Sequence, residues 1–395
     1  MSALKYWVWL SELQGLGNQG RLALLRHFGG PEEIYYAEEE ELLLTEGITR
    51  PQVSSVLRQH KLQGAEEVLE SCDRLGQQLL TIQDGAYPGR LANIFDPPIL
   101  LYLKGRLPMV DEELAVAVVG TRSCSPYGLA AAEELGYGLT RGGAVVVSGL
   151  AKGIDSAATV GALRAGGTPI AVVGSGIDVK YPYESRFLYE DVAAVGAVLS
   201  EYPPGTAPVG SHFPARNRIM SGISMAALVV EAPLRSGALI TAEMALEQGR
   251  DLYAVPGPIH ALGSEGCNRL IHEGAGLVAE PWDLLGDYEA RFPQKLHREG
   301  AEKPREVLST KAPEKTEAKP LPPVFSLSQN GRGLTDDQLL LLRKLGQEPI
   351  QVDDLIEESG LPTRRVLSAL TILEIENLVT QHSGKHYSLA VTLTE

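Results

Sequence analysis

Residues 114–123, LAVAVVGTRS, decide the fold, because an apolar run rich in β-branched residues ends there in a turn of small residues. The same order returns at 144–153, AVVVSGLAKG, and at 169–176, PIAVVGSG, with helical sequence between the runs. Buried strands that alternate with helices predict βαβαβ units around a parallel sheet. We therefore expect an α/β fold.

Such folds bind ligands outside the carboxyl ends of their strands, where glycine turns and helix N-termini direct backbone N–H groups at anions. The residues that the pattern places at this edge are Arg122, Lys152, Arg216, Arg218 and Ser236. Arginine is a forked donor suited to phosphate, so the sequence predicts a phosphate site. Two alternatives stay open: a surface ion pair for Arg122, and pairing of the other arginines with Glu201 or Glu231.

The composition limits the classes of function. A net charge of −15 argues against a general polyanion-binding surface, so nucleic acid would have to bind in a local pocket. Three widely spaced cysteines exclude a disulfide framework and a cysteine-based zinc site. No apolar run reaches the roughly 20 residues that span a bilayer, and we expect a cytoplasmic protein.

Catalytic and cofactor motifs are missing from the sequence. The turn at 148–155, SGLAKGID, is neither a Walker A loop nor the dinucleotide Gly-x-Gly-x-x-Gly, and we expect Asp155 to cap the following helix. The histidines have no metal-ligand spacing, and no Gly-x-Ser-x-Gly elbow occurs. We expect neither an enzyme nor a bound cofactor or metal.

Shifts in composition predict four regions. Residues 1–65 are helical and contain a Gly-x-Gly turn, which fits either a helix-hairpin-helix (SAM-like) domain or an ordinary packing unit. Residues 66–288 form the core, and residues 289–332, rich in Lys, Glu and Pro, form a flexible linker. Residues 333–395 show three helices and a hairpin, a winged-helix pattern. Its acidic balance favours protein contact, or weak DNA contact through Arg364 and Arg365.

A set of motifs in the core carries a resemblance to a known family. The motifs are VGTRS (119–123), YG (127–128), SGLAKGID (148–155), GIDVKYP (176–182), SEYPPG (200–205), FPARNRI (213–219), VVEA (229–232), SGALITA (236–242) and AVPG (254–257). Together they resemble the bacterial DNA-processing protein A (DprA/Smf) family over about residues 78–285.

The resemblance implies an extended Rossmann-like core that binds single-stranded DNA and loads the RecA recombinase onto it during natural transformation. It also implies a homodimer formed through that core, without catalytic activity or a nucleotide requirement. The DNA-binding residues that it implies are Gly120, Thr121, Arg122, Ser148, Gly149, Lys152, Gly153, Gly174, Lys180, Arg216, Asn217, Arg218, Ser236 and Gly237. Lys180 is included because Tyr183 and Glu184 stand where many relatives carry a basic residue.

Two alternatives belong to other functional classes. Residues 236–243, SGALITAE, loosely resemble the turn of Rossmann enzymes that hydrolyse nucleoside monophosphates (phosphoribohydrolase-like), although the doubled glycine of those enzymes is missing. Release of base from nucleoside monophosphates would identify such an enzyme. The other alternative is a winged-helix regulator that binds double-stranded DNA through residues 334–395.

Overall fold

The computed structural model describes residues 3–298, 324–326, 334–346, 350–376, 378–382 and 386–394. The chain forms two compact units, residues 1–305 and 306–395. Within the described ranges, no helix combines the length and the apolar character needed to cross a membrane.

Six helices form a layer at the start of the first unit. They are α1 (Leu4–Glu12), α2 (Asn18–Phe28), α3 (Pro31–Tyr36), α4 (Glu39–Leu43), α5 (Arg50–Arg58) and α6 (Gln63–Leu75). Reciprocal capping boxes fix the starts of α4 and α5, with Thr49 and Gln52 capping α5. Buried residues of the layer such as Trp9 and Leu10 share one apolar core with Leu100 and Tyr102 of the sheet.

The sheet has nine strands. They are β1 (Gln78–Thr81), β2 (Leu100–Gly105), β3 (Ala115–Val119), β4 (Val145–Ser148), β5 (Ile170–Val173), β6 (Ala197–Ser200), β7 (Ala226–Val229), β8 (Asp251–Ala254) and β9 (Gly276–Leu277). Their order is β1-β2-β6-β5-β4-β3-β7-β8-β9. Strands β3 to β9 pair in parallel, whereas β1 and β2 add an antiparallel edge. The predicted parallel α/β sheet is confirmed.

Helices cover both faces of the sheet. They are α7 (Gly89–Ala92), α8 (Pro126–Arg141), α9 (Ile154–Arg164), α10 (Arg186–Val195), α11 (His212–Ile223), α12 (Gly237–Glu247), α13 (Glu265–His272) and α14 (Pro281–Leu285). Strand β3 shows why both faces are apolar: Val116 and Val118 belong to the cluster that includes α8 and α9, whereas Ala117 and Val119 belong to that of α11 and α12. A strand buried on both sides reads as a continuous apolar run.

The linker prediction needs correction at its start. Residues 289–298 are packed in the first unit, where Phe292 and Leu296 are buried among side chains of α8 and α14. The backbone N–H of His297 donates to the carbonyl of Gly142 at 3.0 Å. Two apolar residues one helical turn apart anchor an otherwise polar segment. Residues 299–323 and 327–332 of the predicted linker lie outside the described residues.

The second unit contains the predicted helices and hairpin. Its elements are β10 (Val324–Ser326), α15 (Asp336–Lys344), β11 (Ile350–Gln351), α16 (Val352–Ser359), α17 (Thr363–Ile375), β12 (Val379–His382), β13 (His386–Leu389) and β14 (Thr392–Thr394). The helices enclose a core around Leu341, Leu355 and Leu370. Strands β12 and β13 pair antiparallel, and β11 joins β13. Arg365 forms an ion pair with Asp337 at 2.7 Å.

Candidate nucleic-acid interface

A cavity of about 370 Å³ opens between the loops that follow β3 and β7. These strands are neighbours, yet the chain continues from β3 toward β4 on one side and from β7 toward β8 on the other. Open α/β sheets bind ligands in the crevice at such a switch point, outside the carboxyl ends of the strands. We call this cavity the switch-point pocket.

Two exposed arginines line the switch-point pocket. They are Arg122, in the loop after β3, and Arg235, in the loop after β7. The guanidinium of Arg122 lies 4.9 Å from the ring centre of Phe213, and neither arginine takes part in the ion pairs found among the described residues. The surface ion pair considered for Arg122 is therefore not observed. Arg235 was not among the predicted site residues, although its place just before the cap of a helix was a signal for it.

The N-terminus of α12 also faces the switch-point pocket. Ser236 is the cap of this helix, because its hydroxyl oxygen accepts the backbone N–H of Ala238 at 3.3 Å. Ser236 and Gly237 line the cavity. The dipole of this 11-residue helix makes its N-terminal end attractive to an anion.

A buried arginine forms the floor. Arg216 is only 4% exposed and donates from Nη1 to the carbonyl of Val172 in β5. Its Nε has no hydrogen-bond partner within the structure, and Arg216 and Asn217 both line the cavity. Burial lowers the pKa of Arg216, although the negative charge of Asp155 acts to raise it. Burial raises the pKa of Asp155, although the positive charge of Arg216 acts to lower it. A buried donor without a partner favours an anionic ligand.

The loop after β4 packs tightly against this floor. A side chain on Gly149 would place Cβ 1.7 Å from Nη1 of Arg216. Leu150 has φ 52°, a strained conformation for a non-glycine residue, and backbone N–H groups of Gly149 and Ala151 bond to the carboxylate of Asp155. Asp155 thus holds the loop, and it is not the helix cap that we expected, since the cap of α9 is Gly153.

The loop after β3 is held by a buried carboxylate. Glu231 accepts the backbone N–H of Ser125 at 2.9 Å, and its carbonyl oxygen accepts the N–H of Thr121 at 2.7 Å. Of the two carboxylates considered as arginine partners, Glu201 pairs with Arg218 at 2.7 Å, whereas Glu231 forms no ion pair with an arginine among the described residues. Gly120 is needed for close packing, because a Cβ there would lie 2.5 Å from Ile154 at the start of α9.

A second cavity, of about 490 Å³, shares the wall made by Arg122 and Phe213. We call it the side pocket. Its lining includes Gly149, the exposed Lys152 and Lys180. Lys180 pairs with Glu190 at 2.7 Å, and the hydrogen bonds of Lys180 and Lys104 lower the pKa of Glu190.

The structure separates four predicted residues from the pocket linings. Ser148 is buried and donates to the carbonyl of Val118 at 2.8 Å, and Gly153 and Gly174 line neither pocket. The expectation that Arg218 shares the pocket needs correction, because it pairs with Glu201 at 2.7 Å and Asp96 at 3.1 Å. Residues two apart on a helix point to nearly opposite faces, so Arg216 and Arg218 diverge.

The switch-point pocket lacks a pair of groups for acid–base chemistry. Asp155 is the one carboxylate among the described residues that line it, and it is buried. Glu243, the acid of the phosphoribohydrolase-like motif, is exposed on α12 and outside the lining. No metal-binding cluster of His, Cys, Asp or Glu occurs in the part of the chain that the structure describes.

Comparisons with known proteins agree with the fold and motifs. The model of the family "DNA recombination-mediator protein A" matches residues 78–289, and that of the DprA winged helix domain matches residues 326–385. DNA processing protein DprA of Streptococcus pneumoniae is 48% identical over 209 residues, 53% of this chain and 73% of that protein. Protein Smf of Synechocystis is 34% identical over 391 residues, 97% of this chain and 98% of that protein.

A solved structure gives the same result at the level of the fold. The X-ray structure of DNA processing protein A from Streptococcus pneumoniae matches with a TM-score of 0.64 and 37% identity, covering 73% of this chain and 99% of that one. The family model covers more than half of the chain, and the Synechocystis relative aligns along nearly the whole of it. This chain therefore belongs to the DNA recombination-mediator protein A (DprA/Smf) family.

Proposed function

We propose that this protein binds single-stranded DNA in the switch-point pocket and acts as a mediator of recombination. One observation carries the proposal: Arg122, Arg235, the buried Arg216 and the N-terminus of α12 all line one cavity. The chain as a whole has a net charge of −15, so this convergence is a local exception. Guanidinium groups and helix N-termini are common phosphate-binding groups in proteins.

The form of the pocket favours a single strand over a duplex. A cavity of about 370 Å³ admits a few backbone atoms, whereas a duplex would stay outside it. The half-buried Phe213 forms the wall beside Arg122, and an aromatic face of this kind stacks on unpaired bases. Phosphates held in the pocket and bases splayed along its wall fit a flexible strand.

RecA is the partner that we propose for the bound complex, and a homodimer through the core is the form that we propose for the protein. The family description, a recombination mediator, supports the first proposal. Sedimentation of the full chain would reveal the dimer. Faster RecA assembly on a coated strand with the protein than without it would support loading, and an unchanged rate would contradict it.

The salt dependence of binding tests the site. Arg122→Ala should weaken binding of an oligo(dT) strand about 10- to 150-fold, the worth of one charge-assisted hydrogen bond. The slope of log affinity against log salt should fall by about 0.7, since one phosphate contact is lost.

Arg106→Ala is the matched control. Arg106 is exposed and follows β2, which runs antiparallel to the other strands, so it lies at their amino-terminal ends and away from the pocket. It should keep the affinity and slope of the parent. Equal effects of the two substitutions would contradict the site assignment.

A further inference from the structure

Two exposed aromatic rings flank an arginine where α10 begins. Tyr183 is 70% exposed and Phe187 is 64% exposed, although both carry large apolar surfaces. The guanidinium of Arg186 lies 3.9 Å from the ring centre of Tyr183 and 4.0 Å from that of Phe187. Both distances are those of face-on stacking, so the three side chains form one continuous π surface.

Helix stability does not account for this arrangement. Arg186 is the first residue of α10, where the helix dipole disfavours a cation. Its Nη1 donates to the carbonyl oxygen of Tyr183 at 3.0 Å, which fixes the guanidinium between the rings. The outer faces of the rings are left to solvent. An ordered, exposed aromatic surface is a feature of binding sites.

The surface is continuous with the side pocket. Tyr183 lines that cavity together with Lys152 and Arg122, so a strand leaving the switch-point pocket past Arg122 would reach it directly. The local charges suit bases better than phosphates, because Glu184 lines the same cavity and Lys180 is engaged by Glu190. Aromatic and guanidinium faces stack on any base.

We propose that Tyr183, Arg186 and Phe187 form a stacking platform for bases of a single strand whose backbone lies in the switch-point pocket. The platform rests on the proposed function and adds to it a separate contact made through bases.

Two strands of equal length separate the platform from the pocket. One is an oligo(dT), and the other carries abasic sites, which keep the phosphates and remove the bases. Tyr183→Leu and Phe187→Leu should each weaken oligo(dT) binding about 5- to 150-fold, the worth of one stacked base. Both variants should bind the abasic strand as the parent does.

Phe95→Leu is the matched control, since Phe95 is an exposed aromatic residue outside both pockets. It should change neither affinity. Equal losses on both strands would overturn the platform, because the variants would then act through the backbone site or the fold. Unchanged oligo(dT) binding would also overturn it, and a protein partner would then be the alternative occupant of this surface.

The abasic strand also keeps the two proposals apart. If the parent binds it and Arg122→Ala does not, the pocket assignment stands whatever the platform variants do. If the parent binds neither strand, the proposed function itself fails.

Discussion

Replacing Gly149 with alanine should weaken both the fold and the DNA site, because the new methyl group would displace the guanidinium of Arg216. An added Cβ would lie 1.7 Å from Nη1, whereas ordinary contact begins at 3.4 Å. The displaced group would lose its bond to the carbonyl of Val172 and its position beside Asp155. One charged hydrogen bond is worth about 1.5–3 kcal/mol, so stability should fall by about 2 kcal/mol.

The same displacement removes a phosphate donor, so affinity for oligo(dT) should fall by about tenfold or more. Calorimetry of the full chain should show a fall of about 3 °C in the Tm of the first unit. Gly174→Ala is the matched control: Gly174 follows β5 as Gly149 follows β4, and a Cβ there would meet its nearest atoms at 3.4 Å. Equal stability and affinity of the two variants would contradict the claim that the bare backbone of Gly149 makes room for the guanidinium of Arg216.

Three further substitutions test neighbouring parts of the structure. Glu190→Gln releases Lys180 from an exposed ion pair, so binding of oligo(dT) in a titration should tighten about two- to fivefold; no change would remove Lys180 from the DNA path. Arg218→Ala leaves two carboxylates without their partner, and calorimetry should show a loss of about 3 kcal/mol with an unaltered salt slope; a lower slope would contradict its placement. Gly136→Ala would bring a Cβ 2.2 Å from a backbone carbonyl of α9 and should cost about 1–3 kcal/mol in urea unfolding, whereas Gly64→Ala, with no atom within 4 Å, should cost nothing.

The architecture could be predicted because burial on both faces leaves an unmistakable pattern. The runs at 114–119, 144–147 and 169–173 are apolar throughout, and each ends in a turn of small residues. The antiparallel edge that β1 and β2 form was harder to predict, because the sequence of these strands carries no sign of strand direction. The packing of Phe292 and Leu296 was missed because composition averages over a segment and does not register two anchoring residues.

The sequence was enough to predict that the site lies at the carboxyl ends of the strands. It was not enough to predict which side chains face the pocket. Arg122 and Ser236 lie in the pocket because each belongs to a turn that leaves the carboxyl end of a strand or enters a helix. Arg216 and Arg218 read alike in the sequence, yet one faces the sheet floor and the other faces Glu201. Helix phase decides between them, and an uncertainty of one residue, which turns a helix by about 100°, is enough to leave the choice open.

Hydrogen exchange of the full chain, with and without saturating oligo(dT), would locate the bound strand by residue. We expect slower exchange in residues 120–125, 149–153 and 234–239, and unchanged exchange in residues 105–113, which follow β2 at the amino-terminal ends of the parallel strands. Protection confined to residues 105–113, or to the second unit, would contradict binding in the switch-point pocket.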